Sequence, residues 1–93
     1  MDNRDEFYAN LRQTLVEQTK FPTTYLYKFI IPNEEKNIKI ILKIFDFQGA
    51  VITSKKSKTN KFKSYTIHVK VKNVDEIIQK YQEVSVIEGV ISL

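Results

Sequence analysis

Hydrophobic positions recur with two different periods along the chain, and each change of period marks a change of element. Phe7, Leu11 and Leu15 follow a helical spacing, which predicts a first helix over residues 3–18. Phe21-Pro22 comes next, and because proline cannot continue a helix, the helix is expected to end before it. The pattern therefore predicts an amphipathic helix followed by a break.

Strand patterns, with a period of two, follow this break and recur later. Residues 23–31 are rich in β-branched and aromatic side chains and predict a strand. Residues 62–72 alternate most regularly, with Tyr65 and Ile67 on one face and His68 on the other, so one face of this strand is expected to be buried. Shorter apolar stretches predict one strand that begins at residue 50 and a last strand over 85–93.

Two further helices separate these strands. Asn33 precedes two glutamates and an apolar series with helical spacing that ends at Phe45, so Asn33 is predicted to cap the second helix. Asn73 precedes Glu76 by three residues, which is the spacing of a capping box, and is predicted to begin the third helix.

The order of elements after the first helix is strand, helix, strand, strand, helix, strand. Two right-handed crossovers and a central hairpin predict an α+β fold, the ferredoxin-like βαββαβ sandwich. Its antiparallel four-stranded sheet carries two helices on one face. We therefore divide the chain into an additional N-terminal helix, residues 1–20, and a ferredoxin-like domain, residues 21–93.

The second face of this sheet is expected to be open, with Leu26, Ile30 and Val90 among polar residues. Apolar side chains on an uncovered face indicate a surface that associates with something. The pattern predicts either self-association or shielding of this face by the helix at 3–18.

Composition adds one localised feature, a run of lysines. The 93-residue chain has a net charge of +4, but residues 54–72 hold seven lysines and no acidic residue. Residues 1–53 are neutral as a whole, and residues 73–93 carry an excess of three acids. Five of the lysines fall in or beside the predicted hairpin loop: Lys55, Lys56, Lys58, Lys61 and Lys63.

Three interpretations of this lysine hairpin stay open. Clustered lysines bind nucleic-acid phosphates through counterion release, and a basic surface also docks on acidic proteins. The third interpretation, which the sequence favours slightly, needs no partner, because lysines also keep edge strands from aggregating. Stacking on RNA bases requires exposed aromatic residues on the third strand, and Phe62 is the one candidate with the right parity.

Catalytic groups do not converge in the sequence. The chain has no cysteine and a single histidine, His68, and no motif places a second ligand or a partner carboxylate beside it. We interpret His68 as a surface or interface residue, and we predict no catalytic residue, no metal site and no cofactor. Acidic residues at the predicted helix starts suit the helix dipole.

Two segments carry a family resemblance. The turn Phe21-Pro22-Thr23-Thr24 leads into a strand with Tyr27-Lys28, and the loop Ser57-Lys58 leads into the alternating strand. Both resemble the YbeD-like family of small bacterial domains of unknown function, and the likeness covers roughly residues 20–93. The resemblance implies a ferredoxin-like fold similar to ACT regulatory domains and no established activity. ACT domains that bind amino acids typically have a glycine after the first strand, which residues 31–34 lack.

We therefore predict a non-enzymatic bacterial domain, a regulatory or protein-interaction module that acts through a protein partner or self-association. The alternative is a nucleic-acid-binding module that uses hairpin 54–63. The absence of cysteine fits the cytoplasm, and the sequence shows neither a secretory signal nor an apolar run of the ~20 residues that span a bilayer. A cytoplasmic location without a membrane partner is predicted.

Overall fold

The computed structural model describes residues 4–46 and 49–93. Within these residues it contains three helices, α1 Arg4–Gln18, α2 Glu35–Ile44 and α3 Val74–Val84, and four strands, β1 Thr23–Pro32, β2 Val51–Lys56, β3 Phe62–Val71 and β4 Ile91–Ser92. The strands form one antiparallel sheet in the order β2-β3-β1-β4. The predicted α+β class with a four-stranded antiparallel sheet is confirmed, and the predicted helix start at residue 3 lies outside the described residues.

The core lies between one face of this sheet and the helices. β1 directs Tyr27, Phe29 and Ile31 inward, and each of these side chains is fully buried. β3 meets them in register, with Ile67 opposite Tyr27 and Tyr65 opposite Phe29. The helices and the segments after them complete the core with Ile41, Phe45, Ile77, Ile78, Tyr81, Val84 and Ile87. The predicted buried face of β3 is confirmed.

Buried tyrosines give this core specific hydrogen bonds. The Tyr27 hydroxyl donates to the carbonyl oxygen of Ile77 at 3.2 Å, and the hydroxyls of Tyr25 and Tyr81 share a hydrogen bond of 2.8 Å. Burial raises the pKa of Tyr27 far above its usual range. Burial, and then the hydrogen bond to Tyr25, does the same to the pKa of Tyr81. Both phenols are therefore held neutral in the folded state.

α1 extends the helical layer and leaves the second face of the sheet uncovered. Leu15 is buried, and Tyr8 and Leu11 pack against the core cluster. Arg12 forms an ion pair with Asp75, in the first turn of α3, with 2.5 Å between Nη1 and Oδ1. The expectation that the first helix shields the open face is wrong, because its apolar side packs beside α3. In the described residues no helix is both long enough and apolar enough to cross a membrane.

The start of α3 follows the predicted cap. Asn73 Oδ1 accepts a hydrogen bond from the Glu76 backbone N–H at 3.0 Å. The Glu76 carboxylate returns toward the preceding strand and accepts from the Lys72 backbone N–H at 2.6 Å. Two backbone donors at the helix start are thus satisfied, and the β3–α3 junction is fixed.

The predicted cap of α2 is wrong. Glu34 is the residue at the cap position, and its side chain makes no capping hydrogen bond. Asn33 instead binds the loop between β2 and β3. Its Nδ2 donates to the Asn60 carbonyl at 2.9 Å, and its backbone N–H donates to the Lys61 carbonyl at 2.9 Å. The Asn33 amide is engaged by a residue that is distant in sequence, and a capping rule based on neighbouring residues therefore does not predict this contact.

The last strand is shorter than predicted. β4 comprises Ile91–Ser92, and the residues before it form turns, with the N–H of Ile87 bonded to Val84 and that of Val90 bonded to Ile87. Gly89 therefore lies in a turn, at φ +82°, where a Cβ would lie 3.2 Å from Cγ of Pro32. The turn requires glycine both for its backbone angle and for this close approach.

We predict that the buried tyrosines make the fold sensitive to alkali. Above about pH 10 the unfolded chain ionises its tyrosines, whereas Tyr27 and Tyr81 stay neutral in the folded state. Their stabilisation is therefore fully present below that pH and is lost as the pH rises toward the folded pKa. Tyr27→Phe should lower the free energy of unfolding by about 1 kcal/mol at neutral pH and make its decline above about pH 10 shallower than in the wild type.

Urea denaturation at a series of pH values measures both effects. Parallel stability profiles for the wild type and Tyr27→Phe across the alkaline range would contradict this interpretation of the core.

Loss of the Asn33 contact should loosen the β2–β3 loop selectively. Asn33→Ala is expected to lower the free energy of unfolding by about 0.5–1.5 kcal/mol and to speed amide exchange at Asn60 and Phe62. Asn10→Ala, on the exposed surface of α1, is the matched control: because alanine favours a helix more than asparagine does, it should not lower the free energy of unfolding, and it should leave the loop exchange rates unchanged. Equal exchange rates in the loop of both variants would show that Asn33 does not hold it.

Candidate functional site: the open face of the sheet

One face of the sheet has no layer of chain over it in the parts that the structure describes. Even-numbered residues of β1 and β3 and odd-numbered residues of β2 project to this face, opposite to the core. Four of its apolar side chains are between 43% and 59% exposed, namely Leu26, Val51, Phe62 and Ile91, and Ile30 on the same face is half-buried. We call this surface the open face.

Strand pairing arranges the open face in rows that cross the sheet. The rows are Val51–His68–Leu26, Thr53–Thr66–Lys28 and Lys55–Ser64–Ile30–Ile91. Each row mixes apolar side chains with hydroxyl, imidazole or ammonium groups. The face therefore presents apolar area and hydrogen-bond donors side by side, as the centre of a protein interface does.

The open face carries positive charge and no negative charge. In residues 4–46 and 49–93, every Asp and Glu lies in a helix or a connecting segment, whereas the strands carry five lysines and one histidine: Lys28, Lys55, Lys56, Lys63, Lys70 and His68. The ion pairs found in these residues, such as Arg12 with Asp75 and Lys39 with Glu35, join charges of the helical layer. The lysines of the sheet are thus not neutralised by neighbouring carboxylates.

A shallow depression marks the hairpin end of the open face. It has a volume of about 360 Å³, with Ile30 and Phe62 as apolar lining and Lys55 and Lys58 among the polar residues around it. The half-exposed ring of Phe62 confirms the parity that the sequence predicts for it. An apolar group flanked by one or two anions fits the chemistry of this depression.

The polar run 54–61 predicts a hairpin with frayed ends, and this prediction is wrong, because the loop that supports the depression is hydrogen-bonded at both of its ends. Ser57 and Phe62 are joined twice, by the Ser57 N–H to the Phe62 carbonyl at 2.9 Å and by the Phe62 N–H to Ser57 Oγ at 3.1 Å. Asn60, at φ +59°, closes the turn, and Asn33 holds it from β1. β2 therefore extends to Lys56, into the polar run that the sequence assigns to the loop, whereas β3 begins at Phe62 as predicted.

The structure divides the five lysines of the predicted hairpin site. Lys55 points to the open face, and Lys58 lies at its rim. Lys56 and Lys63 pair with each other across β2 and β3 and point to the opposite face, where Lys63 Nζ lies 5.4 Å from the centroid of the Tyr65 ring. Lys61 lies in the loop. Lys55, Lys56 and Lys58 therefore border the depression together with Phe62, whereas Lys61 and Lys63 do not line it.

His68 lies on the open face, with apolar residues opposite it on both adjacent strands. It is exposed, and its row neighbours are Leu26 on β1 and Val51 on β2. Among the described residues, no group of three His, Cys, Asp or Glu side chains could hold a metal ion. The position of His68 suits a contact surface.

Sequence reasoning found part of this surface. Leu26 and Ile30 were predicted on it correctly, whereas Val90 is partly buried and packs against the core, so its predicted exposure is wrong. Val51 and Ile91 were missed. Strand alternation alone gives parity within one strand, but the pairing of Val51 with His68 and of Ile91 with Ile30 depends on register between strands.

A second depression, of about 490 Å³, lies at the junction of β1 and α2. Glu34, Glu88 and Lys36 lie in its lining, and Lys36 Nζ lies 3.6 Å from a Glu34 carboxylate oxygen. Lys36 thus offsets one of the two carboxylates, and the lining carries a mixed charge. The uncompensated charge and the exposed apolar area coincide on the open face, which we therefore take as the candidate site.

Comparison with known proteins identifies a family. No curated protein and no solved structure matches the chain significantly. A family model matches residues 16–93, which include the end of α1 and every later element, and the predicted YbeD-like resemblance is confirmed by this match. The chain belongs to the family described as protein of unknown function (DUF493).

Proposed function

We propose that this domain is a non-enzymatic protein-interaction module that binds an acidic protein surface through the open face. The observation that carries the proposal is the coincidence of exposed apolar side chains with lysines that no carboxylate neutralises. We also assign the fold to the ferredoxin-like βαββαβ class, similar to ACT domains. The strand order β2-β3-β1-β4, with helices after β1 and β3, supports this assignment.

The binding chemistry follows from the rows of the open face. Leu26, Val51 and Ile91 offer aliphatic area whose burial drives association, and Lys28 and Lys55 lie in the neighbouring rows. A partner that places carboxylates against these ammonium groups and apolar side chains between them matches both properties. On the helical layer, by contrast, basic side chains are paired with carboxylates, as Arg12 is with Asp75 and Lys39 is with Glu35.

An acidic protein fits this face better than a nucleic acid does. Binding of single strands relies on several exposed aromatic rings, each of which stacks on a base. The open face has one such ring, Phe62, and its other apolar residues are aliphatic. The nucleic-acid alternative is confined to the depression formed by Phe62, Lys55 and Lys58, which offers one stacking position.

A role without catalysis is part of the proposal. The phenols whose pKa is raised, Tyr27 and Tyr81, lie in the core, where they support packing. His68 has apolar row neighbours, and catalysis requires convergent nucleophile, base and oxyanion donors. A bacterial, cytoplasmic setting completes the proposal, as the sequence predicts.

A titration with defined probes tests the proposal. The probes are a synthetic peptide of alternating glutamate and leucine, the same peptide with lysine for glutamate, and oligothymidylate. Nitrogen-15 NMR should show amide shifts on the open face with the glutamate peptide and none with the lysine peptide. Lys28→Glu and Lys55→Glu should each weaken the binding about threefold to tenfold, and added salt should weaken it further.

The matched control is Lys39→Glu, a charge reversal of the same size on the exposed surface of α2. It should leave the affinity for the glutamate peptide unchanged. Binding of oligothymidylate that is tighter than that of the glutamate peptide, or peptide shifts centred on the helices, would reject the proposed partner chemistry.

A further inference from the structure

β1 is bordered unequally on its two sides. β3 pairs with its whole length, from Thr23 opposite Val71 to Pro32 opposite Phe62. β4 pairs with Phe29 and Ile30, and beyond it the Leu93 N–H donates to the Lys28 carbonyl at 2.9 Å. Among the described residues no strand lies beside residues 23–27 on the β4 side. We call this stretch the free edge of β1.

The backbone of the free edge presents hydrogen-bonding groups outward. In an antiparallel sheet, the N–H and C=O of one residue point to the same side, and residues two apart share that side. Because the Lys28 carbonyl points toward β4, the polar groups of Leu26 and Thr24 point the same way. Both residues are exposed, Leu26 to 43%. Their groups form a template for another strand.

The two edges of the sheet differ in how they resist such pairing. β2, at the other edge, carries Lys55 and Lys56, and edge lysines oppose the approach of a second strand. Residues 23–27 contain no charged side chain, and Pro22, which cannot pair, bounds this stretch only at its N-terminal end. The two edges thus differ: lysines protect β2 at its hairpin end, and the free edge of β1 carries no lysine.

We infer that a second copy of this chain pairs with the free edge, β1 against β1, in antiparallel orientation. A two-fold axis through Tyr25 places Thr24 opposite Leu26 of the second copy and leaves both β4 strands outside the paired segment. Leu26 and Thr24 then exchange about four backbone hydrogen bonds with their counterparts. The half-buried Tyr25 meets its own symmetry mate, a cross-strand aromatic contact. The interface is self-complementary, as a two-fold dimer requires.

A second copy fits the free edge better than it fits the open face. Two open faces in contact would oppose lysines such as Lys28 and Lys55 with their own copies, which costs free energy. Edge pairing keeps these charges on one continuous surface and leaves both open faces accessible. The dimer therefore goes beyond the proposed function, because it would present two acid-binding surfaces side by side.

Two substitutions of Thr24, to proline and to valine, test edge pairing without disturbing the rest of the fold. The Thr24 N–H points to the free edge and not to β3, so Thr24→Pro removes an edge donor while the β1–β3 ladder is kept. Thr24→Val keeps the N–H and the β-branched shape. By light scattering after size exclusion, the wild type and Thr24→Val should approach twice the 11.0 kDa of one chain as concentration rises. Thr24→Pro should stay at the monomer mass.

Amide exchange in the wild type gives a second measurement. The Leu26 amide should be protected at high concentration and exchange at least about tenfold faster on dilution, whereas the Phe29 amide should not change. If Thr24→Pro does not fold, Leu26→Lys replaces it, because a charge at this edge should weaken the dimer about tenfold. A wild type that stays at monomer mass, or proline and lysine variants that stay dimeric, overturns the inference. A monomer that still binds the glutamate peptide would leave the proposed function intact.

Discussion

The buried contact between β1 and β3 is the constraint on which the rest of the structure depends. Tyr27, Phe29 and Ile31 enter the core on one side of β1, and the ladder to β3 fixes which residues lie opposite them. A shift by one residue would expose this set and bury Leu26, Lys28 and Ile30, which the charge of Lys28 forbids. The register is therefore specified by the core, and the composition of the open face follows from it.

Much of this arrangement could be predicted because it depends on local periodicity. The inward face of β3, the break at Phe21-Pro22 and the Asn73 cap all follow from neighbours within a few residues. The failures have a common physical cause. Asn33 has the spacing of a cap, but its side chain is satisfied by Asn60, a residue brought close by the fold. Local rules do not contain such contacts.

The candidate site shows the same division. The sequence localises the lysines correctly, yet it treats five of them as one loop. Alternation within β2 and β3 sends Lys55 to the open face and Lys56 and Lys63 to the other, because neighbours along a strand point in opposite directions. The depression next to Phe62 also depends on Ile30, which belongs to a different strand. The register between strands, and not the composition, brings these residues together into one site.

The separation of acids from the sheet gives the whole molecule a permanent dipole moment. Carboxylates lie in the helical layer and its connections, whereas the charged side chains of the strands are basic. The electrostatic potential is therefore more positive on the side of the open face. A molecule of this kind rotates in the field of a charged neighbour before the two surfaces touch, and such orientation raises the rate of productive encounter more than it lowers the dissociation rate. The distribution of charge thus determines which side of the domain faces a charged partner when the two first meet.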